Sequence, residues 1–224
     1  MTNTDFNTDF VPLTVDPDKI YDYSFSIIKE EMGEHNFTDE QWLVVRRVIH
    51  ASADFELGRS MIFTDDAIEA GIQSILAGRH VIADVQMIES GSGRKRFQKH
   101  CGDLHCYIAD EDVSKEAKEH GVTRAIMSMR KATKLHEGGI YAIGNAPTAL
   151  LELIRLIKEG LAKPDLIIGM PVGFVSAAES KAELALLKGI PFITNEGRKG
   201  GSTVTVAALN AISIMADERA KQAK

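Results

Sequence analysis

The sequence predicts an α/β fold: a three-layer domain with a mostly parallel five-stranded sheet, flanked by helices and preceded by N-terminal helices. Short apolar runs alternate with helical patterns, which is typical of βαβ units. Several runs are β-branched and uninterrupted, as in strands that helices cover on both faces. Between Tyr141 and Asn210, three of these runs are each followed by a glycine-bearing turn that opens a helix.

Three helices are predicted ahead of the first strand. Asp16 caps the first helix, and Pro17 occupies its first position. Thr38 and Gln41 form a capping box for the second helix. Thr64, followed by two aspartates, opens the third helix with negative charge on its first turn.

The predicted strands follow these helices. They are HVIADV at 80–85, LHCYIA at 104–109, IYAIG, DLIIG and PFITN. A helix from about Thr123 to His136 precedes the third strand, and each of the last three strands leads into a helix. We expect one domain over residues 1–224, with 1–15 and 217–224 as frayed tails, because no linker interrupts the pattern.

Composition narrows the class of protein. The hydrophobic content of 44% and charged content of 26% are ordinary for a soluble globular protein. No apolar stretch approaches the ~18 residues that a membrane span needs, and the N-terminus lacks the basic and apolar parts of a signal peptide. We therefore expect a cytoplasmic protein. The net charge of −6 argues against nonspecific nucleic-acid binding.

The segment HCGDLHC contains both cysteines, Cys101 and Cys106, beside His100 and His105. The spacing matches no zinc pattern, and Cys106 lies inside an apolar run where buried cysteine is common. We therefore expect reduced, structural cysteines and no metal site.

The glycine-bearing turns predict an anion-binding cleft. Ligands of open parallel sheets lie beyond the carboxyl ends of the strands, where helix N-termini present unpaired N–H groups. In GRKGG at 197–201, two basic residues stand beside two glycines, immediately before a Ser/Thr-capped helix. In NAPT, Asn145 and Thr148 either contact a ligand or cap a helix. Lys181 lies in the helix after the GMPVG turn and is a further candidate.

His50 is the candidate catalytic residue. Arg46 and Asp54 lie four residues on either side of it, which predicts one shared helix face. The C-terminal end of a helix favours the protonated imidazolium, and such a group can donate a proton. The alternative is a surface histidine in a local ion pair.

Several reaction types lack their motif in this sequence. There is no G-x-S-x-G elbow, no H-E-x-x-H, no activated cysteine and no aspartate cluster for magnesium. One proton donor with several anion-binding turns suits a rearrangement assisted by protonation better than hydrolysis or redox chemistry.

Six segments together resemble one known family. They are RVIHASADFE, DVQM, GVTRA, AIGNAPTALLELI, GMPVGFVSAAESK and GRKGGSTVTVAALNAI. From about Tyr21 to Ile212 the chain resembles the precorrin-8X methylmutase family of corrin (vitamin B12) biosynthesis, including its cobalt-precorrin-8 branch.

The resemblance implies an isomerase that moves the methyl group at C-11 of (cobalt-)precorrin-8 to C-12, giving (hydrogeno- or cobalt) cobyrinic acid. It implies an α/β homodimer and places the essential histidine on His50, an arginine on Arg124 and a serine on Ser24. No cofactor is expected, since any cobalt belongs to the macrocycle. The predicted substrate-binding residues are Ser24, Arg124, Asn145, Thr148, Lys181, Arg198, Lys199, Gly200 and Gly201.

Two other functions stay open on the sequence alone: a nucleotide- or phosphate-binding α/β enzyme, and a non-catalytic tetrapyrrole carrier. The chain lacks the dinucleotide G-x-G-x-x-G turn with its acidic partner, which counts against the first. The chain departs from the family pattern at Gly91–Arg96 (GSGRKR), so this loop either folds differently or adds a carboxylate contact.

Overall fold

The computed structural model describes residues 12–222. Contacts divide this part of the chain into two units, which separate between His35 and Asn36. The single-domain organisation therefore stays a prediction. Of the predicted tails, residues 1–11 and 223–224 lie outside the described residues.

The first unit contains helix α1 (Pro17–Met32). The carboxylate of Asp16 accepts hydrogen bonds from the backbone N–H groups of Asp18 and Lys19, as the capping pattern predicts. Gly33, with φ of 65°, ends the helix. Ser24 lies in the middle of α1 and is partly exposed.

The second unit contains a six-stranded sheet. Its strands are β1 (Met61–Phe63), β2 (Val81–Ala83), β3 (Leu104–His105), β4 (Ile140–Ile143), β5 (Leu166–Gly169) and β6 (Phe192–Asn195). Their order is β1-β6-β5-β4-β2-β3; β1 pairs antiparallel with β6 and all other pairs are parallel. The parallel strands form a doubly wound sheet whose direction of winding reverses between β2 and β4.

Helices connect and cover these strands. They are α2 (Asp39–Ser52), α3 (Phe55–Arg59), α4 (Ala67–Leu76), α5 (Gln86–Gly91), α6 (Arg94–Lys99), α7 (Glu111–Glu119), α8 (Arg124–Leu135), α9 (Pro147–Lys158), α10 (Ala177–Ala185) and α11 (Ser202–Gln222). Among residues 12–222, no helix combines the length and apolarity needed to cross a membrane.

The helices form layers on the two faces of the sheet. On one face, α8, α9 and α10 pack over a core that includes Tyr141 and Ile167. On the other face, α4 and α11 pack on β5, where a Cβ added at Gly71 would approach Leu166 and Ile212 within 3 Å. Neighbouring strand residues such as Leu166 and Ile167 point to opposite faces. The predicted three-layer α/β architecture is confirmed.

The strand count differs from the prediction. β1 has three residues, too few for its pattern to be recognised, and it pairs antiparallel at the edge of the sheet. β3 spans two residues rather than the predicted 104–109. The hydroxyl of Thr64 accepts a hydrogen bond from the Phe192 N–H instead of capping α4, which begins at Ala67.

Two further segments are more ordered than expected. The C-terminal stretch from residue 217 was predicted to fray, but α11 continues to Gln222, and Asp217 forms ion pairs with Lys99 and His100. The divergent segment 91–96 spans the end of α5 and the start of α6. Arg94 there contacts Glu89 and Asp103 of this chain, so its charge is already neutralised.

Candidate active site

Three helices begin at one rim of the sheet. α9, α10 and α11 start shortly after the carboxyl ends of β4, β5 and β6, respectively. Because these strands are parallel, the three helix N-termini lie along the same edge. Each N-terminus offers N–H groups and the positive end of a helix dipole. The three helix N-termini thus share one rim, and anion binding there stays a prediction.

Asp84 shapes the first part of this rim. It follows β2, is 1% exposed, and accepts hydrogen bonds from the backbone N–H groups of Gly144, Asn145 and Ala146 at 3.0, 2.9 and 2.7 Å. Burial raises the pKa of the Asp84 carboxyl, and the three N–H groups oppose that shift. The contacts join the turn after β4 to β2 at the point where the winding reverses. Asn145 is exposed on this turn.

Arg124 lies beside the same turn. Thr123 caps α8 by accepting a hydrogen bond from the Ile126 N–H, and its hydroxyl lies 3.2 Å from that of Thr148. Arg124 is the first residue of α8 and is exposed. Thr148, on the first turn of α9, thus packs against the cap of the helix that carries Arg124.

The buried side chain of Lys181 supports the turn after β6. This lysine is 2% exposed, and its ammonium donates hydrogen bonds to the Lys199 carbonyl at 2.5 Å and to Asn195 Oδ1 at 3.3 Å. Burial lowers the pKa of Lys181 to about 8. The predicted substrate contact of Lys181 does not match this placement. The structure indicates a positioning role beneath the turn.

The paired glycines let the turn approach its neighbour. A Cβ added at Gly200, where φ is 151°, would lie 2.4 Å from the Met170 carbonyl oxygen. The N–H of Gly201 donates to the same carbonyl at 2.8 Å. The predicted use of the Gly201 amide for a substrate carboxylate is therefore wrong in this structure, because that donor is already paired.

Lys199 contacts acidic residues near the end of α2. Its ammonium lies 2.7 Å from Asp54 and 2.8 Å from Glu56. The hydrogen bond from Lys199 lowers the pKa of Asp54. The structure corrects one prediction: α2 ends at Ser52 and Asp54 caps α3, so Asp54 does not share a helix face with His50.

His50 lies in the last turn of α2 and is exposed. The Lys199 ion pairs reach residues four and six positions after it, and the Glu196 N–H donates to the Ser60 carbonyl at 3.0 Å. These contacts tie the segment that follows His50 to the turn after β6.

Apolar side chains are exposed at the same rim. Phe174 is 86% exposed and Val175 is 82% exposed, both in the loop between β5 and α10. The guanidinium of Arg198 lies 5.8 Å from the centre of the Phe174 ring. The rim therefore combines cations, helix N-termini and an exposed aromatic side chain, which suits a large anionic ligand with an apolar body.

The structure brings most predicted site residues to this rim. Those residues are Arg124, Asn145, Thr148, Arg198, Lys199, Gly200 and Gly201. Ser24 belongs to the first unit. Sequence reasoning missed the supporting role of Asp84, although an acidic residue inside an otherwise apolar predicted strand was a usable signal.

The two cysteines are free thiols, as predicted. Cys106 lies just beyond β3 rather than inside a strand, and burial raises its pKa to about 11. Its thiol is thus protonated at neutral pH, which agrees with an unreactive cysteine.

Comparison with known proteins decides the family. A family model described as precorrin-8X methylmutase matches residues 19–215. The chain belongs to the precorrin-8X methylmutase family. It is therefore an isomerase, a methylmutase of cobalamin biosynthesis, and the resemblance seen in the sequence motifs is confirmed.

Relatives in this family carry two names, cobalt-precorrin-8 methylmutase and precorrin-8X methylmutase. The chain is 67% identical to the cobalt-precorrin-8 methylmutase of Priestia megaterium, over 95% of this chain and 94% of that protein. It is 37% identical to the precorrin-8X methylmutase of a Sinorhizobium species, over 88% of this chain and 94% of that protein. A crystal structure of precorrin-8x methyl mutase from Thermus thermophilus has a TM-score of 0.83 and 41% identity, and covers 90% of this chain and 97% of that one.

Proposed function

We propose that this methylmutase acts on cobalt-precorrin-8 and moves its C-11 methyl group to C-12, giving cobalt cobyrinic acid. The observation that carries the choice of substrate is similarity. Three relatives named cobalt-precorrin-8 methylmutase are 67%, 46% and 44% identical to the chain. The Thermus thermophilus protein named precorrin-8x methyl mutase is 41% identical, and two relatives named precorrin-8X methylmutase are 37% and 36% identical.

The reaction needs no external electrons. In a [1,5]-sigmatropic shift the bond from C-11 to the methyl carbon breaks as the bond to C-12 forms, so atoms and electrons balance within the macrocycle. In our proposal, protonated His50 lies beside ring C and favours the conjugated product. In a metal-free macrocycle it donates to the ring C nitrogen or shares a proton with it, whereas a ring nitrogen bound to cobalt has no free lone pair for that proton. Positioned proton donation typically accelerates a reaction by about 10²–10⁴.

The rim supplies partners for the substrate's acetate and propionate groups. Arg124 and Arg198 are both exposed, and a guanidinium can bind a carboxylate through two parallel hydrogen bonds. The N-termini of α10 and α11 add N–H donors and positive dipole ends, whereas the N–H groups that lead into α9 are already paired with Asp84. In our proposal Phe174 packs against the apolar face of the macrocycle. Holding the ring in one reactive shape supplies the rest of the catalysis.

Further parts of the proposal concern cofactor, assembly and location. Any cobalt is part of the substrate, so the reaction uses no resident cofactor. We propose a homodimer, as the family resemblance implies, and light scattering of the purified protein tests it. The cytoplasmic location stays a prediction from the sequence.

The mechanism is tested with a His50→Ala variant. We expect loss of turnover, monitored as the absorbance change when substrate becomes product, with tight product binding retained in a spectral titration. His120→Ala, at an exposed histidine after α7, is the matched control and should keep full activity. Full activity in His50→Ala would remove the mechanism. Tight binding without turnover by the wild-type protein would instead indicate a tetrapyrrole carrier.

The choice of substrate is tested separately. Wild-type enzyme is assayed with precorrin-8 and with cobalt-precorrin-8 under otherwise equal conditions. We expect kcat/KM to be higher with the cobalt-containing substrate. A higher value with the metal-free substrate would overturn this part of the proposal and leave the methylmutase activity intact.

A further inference from the structure

Three histidines meet away from the candidate active site. His80 immediately precedes β2, and His136 lies between α8 and β4, so both belong to the amino ends of parallel strands. His105 ends β3 and is paired in register with Ile82. The active-site rim is at the carboxyl ends of the same strands. The mechanism above uses none of these imidazoles.

The three rings are close enough to share one ion. One potential ligand nitrogen of each histidine lies within 4.8 Å of the others. The ring centroids are 4.9 Å apart for His80 and His105, 5.1 Å for His80 and His136, and 4.7 Å for His105 and His136. No other group of three or more His, Cys, Asp or Glu ligands within residues 12–222 has this closeness.

One of these nitrogens is an unusual feature in its own right. The Nε2 atom of His105 is buried and has no hydrogen-bond partner in the described part of the chain. Buried polar atoms nearly always have a partner, and a bound ion is one of the standard explanations when the protein itself supplies none. The atom is therefore a second observation, independent of the clustering.

The protonation states favour ligation. Burial lowers the pKa of His136 to about 4, with the charges of His105 and His80 acting in the same direction. Burial also lowers the pKa of His105. Neutral imidazole is the form that binds metals, so both shifts are in the direction that favours binding.

We propose that His80, His105 and His136 bind one divalent first-row transition-metal ion, with zinc as the reference case. Three imidazoles with an exchangeable fourth ligand are a known zinc arrangement, and imidazole also suits copper and nickel. A surface cavity of about 510 Å³ is lined in part by His80 and His136, so two of the three proposed ligands can be reached from the surface. The ion would join the segments that precede β2 and β4 to β3.

Binding requires a small local rearrangement. A tetrahedral ion with Zn–N distances of about 2.0–2.1 Å separates its ligand nitrogens by about 3.3 Å. The widest pair must therefore approach by up to about 1.5 Å, which rotation of side chains can supply. The Asp103 N–H donates to His80 Nδ1 at 3.2 Å. This long hydrogen bond is lost when the ring proton moves to Nδ1, which leaves Nε2 free to bind the metal. The Tyr107 hydroxyl contacts His136 Nε2 and can orient that ring.

Zinc binding by the full-length chain without a histidine tag tests the proposal. The protein is first treated with a chelator and then titrated with ZnCl₂ against a chromogenic competitor. We expect one zinc per chain, at least tenfold weaker binding in His105→Ala and His136→Ala, and unchanged binding in His120→Ala. Zinc should also raise the unfolding temperature of the wild type but not that of His136→Ala.

A measurement on the wild type covers the case in which a variant fails to fold. X-ray absorption at the zinc edge should show about three imidazole nitrogens at about 2.0 Å. Three results would each overturn the proposal: no stoichiometric binding by the wild type, equal affinity in folded histidine variants, or a zinc shell without imidazole. Because these readouts use no corrinoid, their outcome is independent of the proposed substrate.

Discussion

The ammonium of Lys199 lies 2.7 Å from Oδ2 of Asp54, and this ion pair joins the turn after β6 to the cap of α3. Asp54 lies four positions after His50, so the contact links the candidate proton donor's segment to the candidate anion-binding turn. Lys199 was predicted to bind a substrate carboxylate. In the structure it is paired with two carboxylates of the chain, and any role toward substrate stays a prediction.

Replacing Lys199 with alanine should disturb the site more than the fold. We expect KM to rise severalfold and the unfolding temperature to change little, because an exposed ion pair contributes little to stability. Steady-state kinetics and thermal unfolding check both expectations. Lys188→Ala, at an exposed lysine, is the matched control and should leave KM unchanged. An unchanged KM in Lys199→Ala would show that the link does not matter for binding.

Arg124→Ala should weaken substrate binding. We expect KM to rise at least tenfold with a smaller change in kcat, because the lost interaction exists before the reaction begins. Arg124→Lys should fall between wild type and alanine, since lysine keeps the charge but cannot bind a carboxylate in the same two-point manner. Equal KM values in all three proteins would show that Arg124 has been wrongly assigned.

Asp84→Asn should destabilise the second unit. Hydrogen bonds to a charged group contribute about 1.5–3 kcal/mol each, and the amide cannot accept all three backbone N–H bonds, so we expect a loss of about 2 kcal/mol or more. Urea unfolding measures this loss. Asp66→Asn, at an exposed aspartate whose side chain makes no capping bond, should change stability by less than about 0.5 kcal/mol. Similar values for both variants would contradict the role given to Asp84.

Gly200→Ala should distort the turn after β6. The added Cβ would lie 2.4 Å from the Met170 oxygen, so we expect a stability loss of about 1–3 kcal/mol together with a higher KM. Gly189→Ala is the matched control, because Gly189 also has positive φ but nothing within 4 Å of its added Cβ. That variant should lose about 1 kcal/mol and keep its KM. A normal KM in Gly200→Ala would mean that the close approach is not needed.

Lys181 should make stability depend on pH in the alkaline range. Its pKa is about 8 in the folded protein, below the ordinary value of 10.5, so the unfolded chain binds more protons between these values. Folding stability must then rise as pH increases from about 8 to 10, relative to a Lys181→Met variant. The full difference is at most about 3 kcal/mol. Urea unfolding of both proteins at pH 7 and pH 10 checks it; identical slopes would contradict the lowered pKa.

Local patterns predicted α1, α2, α4 and α8 to α11 and the strands β2, β4, β5 and β6, but not the helices α3, α5, α6 and α7. The capping box of Thr38 and Gln41 and the cap at Asp16 are present as predicted, because each depends only on residues within one turn. β1 was missed because its three residues become a strand only by pairing with β6, over a hundred residues later.

The candidate site, too, was predictable only where its features depend on neighbouring residues in the sequence. The glycine-bearing turns after β4, β5 and β6 were recognisable because glycine, proline and capping residues act locally. The pairing of Lys199 with Asp54 could not be recognised from the sequence, and neither could the burial of Lys181 next to the turn after β6. Both depend on which segments the sheet order places side by side.

The sequence by itself determined the alternation of strands and helices, the family, and the residues available for acid chemistry and anion binding, since these follow from residue type and near-neighbour spacing. Only the tertiary structure decided which of those groups already have partners within the chain. It also brought together His80, His105 and His136 from three distant segments. Contacts between distant segments depend on strand order and packing, and no local pattern in the chain encodes them.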